Sequence, residues 1–169
     1  MSWEPTQNAF DTTQIDGNLA AYLAAKQADA LKWANGGNAL KLFNFGEDAL
    51  ADPDKPNLPA LLIAGDGETE ESDDDALVVA YRIDYRAVVF AESAATIRPL
   101  AKKYANALKS MLKNISTIEL FAGIPRTQLL LSATVSANYD EPGASKKLKG
   151  HVQYFNVRAV YRLLDQSEI

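Results

Sequence analysis

The stretch GDGETEESDDD, residues 65–75, is the densest group of chemically active side chains in the sequence. It holds seven carboxylates and no basic residue: Asp66, Glu68, Glu70, Glu71, Asp73, Asp74 and Asp75. Such oxygens could bind calcium or magnesium, because hard cations prefer several oxygen ligands. The stretch does not have the alternating ligands, central glycine and closing glutamate of an EF-hand loop. We therefore predict a flexible acidic loop, either solvated or docked against a charged neighbour, in preference to a metal site.

Residue types that support catalysis are scarce in the rest of the chain. His151 is the only histidine, and no serine nucleophile motif accompanies it. The absence of cysteine excludes disulfides and thiolate chemistry. The segments GDG (65–67) and AGIP (122–125) are too short to cradle a phosphate, and no P-loop or Rossmann pattern occurs. We predict no enzyme activity, no cofactor and no metal.

The overall charge is −5, from 17 basic and 22 acidic residues. Without the seven acids of 65–75, the 17 basic residues stand against 15 acids, so the acidity is local to one segment. Binding of duplex nucleic acid through a basic face is disfavoured as the main activity. No apolar run approaches the roughly 20 residues that cross a bilayer, and the N-terminus carries no signal-peptide pattern. We expect a soluble protein with no membrane partner.

Two segments have the apolar spacing of amphipathic helices. The first spans about 14–34, and its predicted apolar stripe consists of Ile15, Leu19, Tyr22, Leu23, Ala30 and Trp33. The second spans 96–115, with Ile97, Leu100, Ala101, Tyr104, Leu108, Met111, Leu112 and Ile115 on one face. Lysines occupy the opposite face of the second helix, as expected for a helix with one solvent side.

Alternation with a period of two predicts the strands. The strongest signal is ALVVAYRIDYRAVVFAES from residue 76, which places Leu77, Val79, Tyr81, Ile83, Tyr85, Ala87 and Val89 on one face. Two shorter strands are predicted at 39–45 and 58–65. The segment 127–140 is predicted to place Leu129, Leu131, Ala133, Val135 and Ala137 on its inner face. The closing strand, 151–164, places Phe155, Val157, Ala159, Tyr161 and Leu163 there.

These elements follow the order α-β-β-β-α-β-β. The order has no repeated strand–helix–strand alternation, so a parallel doubly wound sheet is not expected. We predict an α+β fold, with an antiparallel-dominated sheet and two helices packed on one face. Residues 1–169 are predicted to form a single domain, with loops at about 65–75 and 141–150. The last two strands should form an antiparallel hairpin around the second loop.

The other face of this sheet is the strongest candidate for a functional surface. It carries Arg82, Asp84, Arg86, Tyr154, Arg158 and Arg162, and its ends are apolar at Val78, Phe90, Val152 and Val160. A wet face is the ordinary alternative for an antiparallel sheet. However, arginine and tyrosine are enriched in protein interfaces. We predict that this face contacts a partner.

The organisation of the chain resembles that of the tail-terminator or tail-completion proteins of long-tailed bacteriophages. The segments that carry the resemblance are ALVVAYRIDYRAVVFAES, IRPLAKKYANALKSML, LLLSATVSANYD and HVQYFNVRAVYRLLD, spanning roughly 75–165. The resemblance implies a virion protein, made in the host cell cytoplasm, that forms a ring, usually a hexamer. Such a ring caps the tail tube protein and joins the tail to neck or connector proteins. DNA would pass through without specific binding.

Besides an enzyme that acts through a metal at the acidic loop, two alternatives to a tail terminator remain open at this point. One is a head-completion or head–tail connector protein of the same particle. The other is a cellular, non-catalytic, dimeric ligand-binding module, which would have a concave apolar pocket and form no ring. Under the resemblance, the acidic residues of 65–75 would either face the lumen and repel the phosphate backbone, or dock onto a basic neighbour.

Overall fold

The computed structural model describes residues 12–46, 50, 52–73, 76–124 and 128–165. Two long helices lie in these ranges, α1 (Ile15–Ala34) and α2 (Ala94–Asn114), and the short helix α3 (Thr117–Leu120) follows α2. The strands are β1 (Ala60–Asp73), β2 (Ala76–Ala91), β3 (Gln128–Tyr139), β4 (Gly143–Ser145) and β5 (Gly150–Asp165). None of these helices is long and apolar enough to cross a membrane.

All five strands belong to one antiparallel sheet with the order β1-β2-β5-β3. The short strand β4 pairs with the beginning of β5, on the edge that β3 continues. The strands β2 and β5 therefore occupy the middle of the sheet, and β1 and β3 form its edges. The predicted α+β class, its antiparallel sheet and the order of its helices and long strands are confirmed.

The inner face of the sheet carries the predicted apolar alternation of the two central strands. Its side chains are at most 3% exposed: Val79, Tyr81, Ile83, Tyr85, Ala87, Val89, Phe155, Val157, Ala159, Tyr161 and Leu163. Residues directly opposite each other on paired strands share a face, so Tyr81 faces Tyr161 and Tyr85 faces Val157. This layer is the floor on which both long helices pack.

Ser93 is the N-cap of helix α2, and its hydroxyl accepts a hydrogen bond from the Ala95 N–H at 3.1 Å. Its predicted apolar face is buried against the sheet and α1, apart from the half-buried Leu100. The stripe of α1 differs in part from the prediction. Trp33 is 65% exposed, whereas Gln27 is buried and its side-chain oxygen accepts a hydrogen bond from the Phe43 N–H at 2.8 Å.

The segment 39–45, predicted as a short strand, contributes only one parallel bridge, between Asn44 and Ala60. Side chains of the two helices hold it in place instead. The Tyr104 hydroxyl donates to the Lys41 carbonyl at 2.7 Å, and the ring of Phe43 packs edge-on against Tyr104. The prediction of a strand here was wrong because these anchors lie far away in the sequence.

The predicted acidic loop is mostly strand, and this corrects the prediction. Residues 65–73 lie in β1 and pair with 76–84 of β2. The strand geometry lowers the expected repulsion, because carboxylates two residues apart on one face are separated by about 7 Å. Pairing also satisfies the backbone of the long strand β2, which an acidic loop would have left open. Asp74 and Asp75 lie outside the described residues.

Two further predictions were wrong in detail. The connection 141–150 contains β4 and a turn that reaches Lys149, at φ 56°, before Gly150. A Cβ at Gly150 would lie 2.5 Å from the Phe90 ring, so only glycine fits there. In β3, the register shifts between Leu130 and Ser132; Leu130 then packs on the core and Leu131 is 44% exposed. A bulge of this kind reverses the faces and is invisible to a strict alternation rule.

Tyr161 provides a test of how the sheet holds the end of α2. Its hydroxyl donates to the Leu112 carbonyl at 2.6 Å, in the last turn, where helix carbonyls have no intrahelical donor. Tyr161→Phe should lower the free energy of unfolding by about 1–3 kcal/mol, because a buried acceptor loses its donor. Urea denaturation measures this change.

Tyr85→Phe is the matched control for that experiment. Tyr85 is also buried on the inner face, but its hydroxyl has no hydrogen-bond partner among the described residues. We expect its removal to leave stability unchanged or raise it. Equal losses in the two variants would contradict the proposed role of the Tyr161 hydroxyl.

Candidate interaction surfaces

The outer face of the sheet brings together the residues predicted for a partner surface. Arg82 pairs in register with Val160, Asp84 with Arg158, and Arg86 with Asn156. Their side chains share one face because directly opposed residues in an antiparallel pair point the same way. Neither α1 nor α2 packs on this face, because both contact the opposite one. The outer face is therefore a broad polar surface.

Asp84 is the centre of an ion-pair network on this face. Its carboxylate accepts from Arg158 Nε at 2.7 Å and lies 3.3 Å from Arg82 Nε. Gly67 stands opposite Arg82, and a Cβ there would make ordinary van der Waals contact with the guanidinium, at 3.4 Å. The GDG segment lies within β1 and is paired with β2.

The remaining arginines of the face are also paired. Arg86 donates to Asp140 and to Asn156, each at 3.0 Å, and its guanidinium lies 4.7 Å from the centre of the Tyr154 ring. Arg162 lies 3.2 Å from Glu71 of β1. Exposed pairs of this kind contribute little to stability, typically below about 1 kcal/mol each. Their effect is to hold four guanidinium groups in fixed positions.

Other segments of the chain cover most of the apolar side chains at the ends of this face. Leu58, Ala60, Val88 and Leu148 form a small buried cluster against which Phe90, Val152 and Tyr154 pack. The segment before β1 and the turn between β4 and β5 cover this end, where Lys147 pairs with Asp52 at 2.6 Å. Val78 is also buried, at 2% exposure. These positions are therefore not the open apolar contacts that the sequence suggested, although Val160 remains half-buried.

The acidic residues of β1 divide between the two faces. Asp66, Glu68 and Glu70 pair with the inward-facing Ile83, Tyr81 and Val79, so they lie on the helix side, where all three are exposed. Glu71 lies on the outer face with Arg162. Asp73 ends β1, and Asp74 and Asp75 lie outside the described residues. The described carboxylates of this segment therefore do not form a single cluster.

A cluster of two carboxylates and one tyrosine joins α1 to β1, and the sequence did not indicate it. The Tyr81 hydroxyl contacts Asp16, in the first turn of α1, and lies 3.0 Å from Asp66. One hydroxyl proton can be donated to only one carboxylate, so the arrangement favours a further proton on the pair. Burial, together with the nearby Asp66, raises the pKa of Asp16, and burial next to these acids raises the pKa of Tyr81.

His151 is half-buried at the start of β5, opposite Ala91 and Ala144. Within the described ranges, no three side chains of His, Asp or Glu lie close enough together to hold a metal ion. Sequence reasoning missed Asp16 and Asp140. Only a three-dimensional arrangement places these two beside Tyr81 and Arg86.

No family model and no curated protein matches the sequence. Among solved structures, a chain from a virion of a native gene transfer agent (GTA) particle is similar, with 14% sequence identity and a TM-score of 0.48. The match covers 90% of this chain and 98% of the other. At this identity and TM-score, the likeness says nothing about what this chain does.

The raised pKa of Asp16 predicts a pH-dependent effect of Asp16→Asn. A carboxyl whose pKa is higher in the folded state binds its proton more tightly there, so its ionisation destabilises the fold as pH rises above about 4. The asparagine cannot ionise, and its amide can still donate to Asp66. The variant should therefore gain stability relative to the unmodified protein as pH rises from 4 to 7.

Urea denaturation at several pH values measures this difference. Asp29→Asn is the control, because Asp29 is exposed on the same helix. A difference between Asp16→Asn and the unmodified protein that stays constant with pH, or shrinks as pH rises, would show that the carboxylate pair holds no extra proton.

Proposed function

We propose that the protein is a structural component of a bacteriophage virion, and specifically a tail terminator. In this role it forms a ring that caps the tail tube and joins it to the neck. The observation that carries the proposal is the part of the outer face that α1, α2 and the segment before β1 leave open, with its four positioned arginines. The resemblance of the sequence to tail-terminator proteins is the reason for proposing this surface as the contact between copies in the ring.

The outer face has the chemistry of a contact between copies. Arg82, Arg158 and Asp84 are held in place before any partner binds, so little side-chain entropy is lost on association. Arginine is also among the residues that contribute most to binding when water is excluded. A head-to-tail contact through such a face closes into a ring when the rotation between copies closes. We propose a homo-oligomer with six copies.

The acidic residues of β1 have a separate role in this proposal. Glu68 and Glu70 are exposed on the helix side of the sheet and have no ion-pair partner among the described residues. In the lumen of a ring they would repel the DNA backbone, so that DNA passes without being bound. On the rim they would attract a basic neck or connector protein. Neither role involves catalysis, a cofactor or a metal.

A second candidate function has one observation in its favour. An apolar cavity of about 490 Å³ lies between α1 and β1 and is of the size that small ligands occupy. A cellular ligand-binding module would use this cavity and form a dimer rather than a ring. A connector protein of the same particle would share the ring and differ only in its neighbours.

Charge reversal on the outer face tests the proposed contact. Arg82→Glu together with Arg158→Glu places two carboxylates beside Asp84, so like charges replace the ion pairs at the centre of the surface. We expect self-association to weaken by at least about tenfold, which is a loss of about 1.4 kcal/mol or more, because repulsion replaces the proposed arginine contacts with the neighbouring copy. Sedimentation velocity over a range of concentrations measures the change.

Lys102→Glu together with Lys113→Glu is the matched control. It reverses the same number of charges on the exposed side of α2, on the other side of the molecule. This control should assemble like the unmodified protein. Unchanged assembly of the outer-face variant, or equal weakening in the control, would remove the outer face from the subunit contact.

A further inference from the structure

The apolar cavity between α1 and β1 opens beside the outer edge of β1. The described chain pairs with this edge only at its beginning, through the bridge between Asn44 and Ala60. It is lined by Ala20 and Leu23 of α1, Leu61 and Ile63 of β1, and the rings of Phe45 and Tyr85. Ile63 is 41% exposed and Phe45 is 38% exposed, so the cavity is an open groove. We name it the edge groove.

One buried polar group in the edge groove lacks a hydrogen-bond partner. The hydroxyl of Tyr85, a residue 3% exposed, has no hydrogen-bond partner among the described residues. Buried polar atoms are nearly always hydrogen-bonded, and an exception in a concave site is a reason to expect a ligand. The groove thus combines apolar walls with one tyrosine that has an unused donor.

The neighbouring edge of β1 is prepared for another strand. Asn44 already pairs there: its N–H donates to the Pro59 carbonyl at 2.8 Å, and its carbonyl accepts from the Leu61 N–H at 2.9 Å. The N–H of Leu61 therefore points away from β2, toward the open side of the sheet. The register of β1 against β2 shifts between Ile63 and Gly65, and the pairing then continues from Gly65 to Asp73.

Beyond that single bridge, the described chain leaves the edge of β1 unpaired. No other described segment pairs with this side of residues 62–73. Unpaired edges are the usual template for strand addition by another chain. The edge groove lies where such an added strand would place its first side chain on the helix side.

The charge along this edge determines which side chains an added strand can carry. Asp66, Glu68 and Glu70 follow Ile63 along the edge on the same face, and all three are exposed. A strand placed beside them meets a row of negative charges. Its side chains on that face must therefore be basic, apart from an apolar one over the edge groove.

Another copy of this chain does not fit. Two β1 edges would oppose acidic residues to each other, which disfavours pairing. Among the described strands, the only other long edge is β3, whose sequence QLLLSATVSANY carries no basic residue. The occupant is then a segment of a different protein.

We propose that β1 is a docking edge that takes up an extended, lysine- or arginine-rich segment of a partner protein, which adds as a strand and places one apolar side chain in the edge groove. This proposal rests on the docking role given above to the acidic residues, but not on the ring. The groove and the acids lie on the helix side of the sheet, whereas the proposed subunit contact lies on the outer face. Strand addition supplies affinity through backbone hydrogen bonds, and the groove and carboxylates supply selectivity.

A synthetic peptide tests the proposal with the intact chain. The peptide carries phenylalanine followed by three lysines at every second position, with threonine between them. A control peptide carries glutamates in place of the lysines. Fluorescence anisotropy gives the affinity, and amide chemical shifts show where the peptide binds. We expect the lysine peptide to bind and to shift the amides of 62–70, and the glutamate peptide not to bind.

Two variants separate the parts of the site. Glu68→Gln together with Glu70→Gln should weaken binding about tenfold, because two exposed ion pairs of up to about 1 kcal/mol each are lost. Ala20→Trp fills the edge groove without changing charge and should weaken binding to a similar degree. Glu141→Gln removes an exposed carboxylate outside β1 and should have no effect.

Several results would overturn the proposal. They are no binding of the lysine peptide at millimolar concentration, shifts confined to residues outside β1 and α1, or equal binding by the Gln variants and the unmodified protein. Pairing of the β1 edge with a second copy, seen as shifts at 62–70 that grow with protein concentration alone, would also overturn it. A failure of the ring proposal would show instead in the sedimentation experiment, which does not involve the peptide.

Discussion

The pairing of β2 with β5 is the constraint on which the rest of the structure depends. The two strands pair from Val78 with Leu164 to Ala91 with His151, with no register shift. This register places Tyr81 beside Tyr161 on one face and Asp84 beside Arg158 on the other. A slip of one residue would exchange the two faces, bury the ion-pair network and expose the apolar floor under the helices.

Each remaining surface follows from that register. The inner face holds α1 and α2 through apolar packing, supplemented by the bond from Tyr161 to the end of α2. The outer face keeps its charges in water, where pairing is inexpensive and positions the side chains. The strands β1 and β3 form the two edges of the sheet. The edges differ in charge, because only β1 carries a row of acidic residues.

Much of this arrangement could be predicted from the sequence, because burial imposes a period that survives in the residues. The alternation of β2 and β5 and the stripe of α2 were confirmed in position and in facing. What failed depended on contacts between distant residues. Phe43 is held by Gln27 and Tyr104, and the acidic segment becomes a strand because β2 needs a partner along its whole length. A local rule that reads charged runs as loops cannot detect that need.

The candidate surfaces were only partly predictable for the same reason. The residues of the outer face were placed correctly by alternation, whereas their pairing with Asp140 and Glu71 depends on the fold. The edge groove has no local signal at all, because α1, β1 and the segment around Phe45 each contribute only part of it. Surfaces built from several elements need the structure before they can be recognised.

We propose that the outer face joins copies of this chain into a closed assembly. The most direct test is the solution mass of the unmodified protein, measured by light scattering on a sizing column at several concentrations. We expect one discrete species of about six copies of the 18.4 kDa chain, with a mass that does not grow further as concentration rises. A monomer or a tight dimer at every concentration would contradict it.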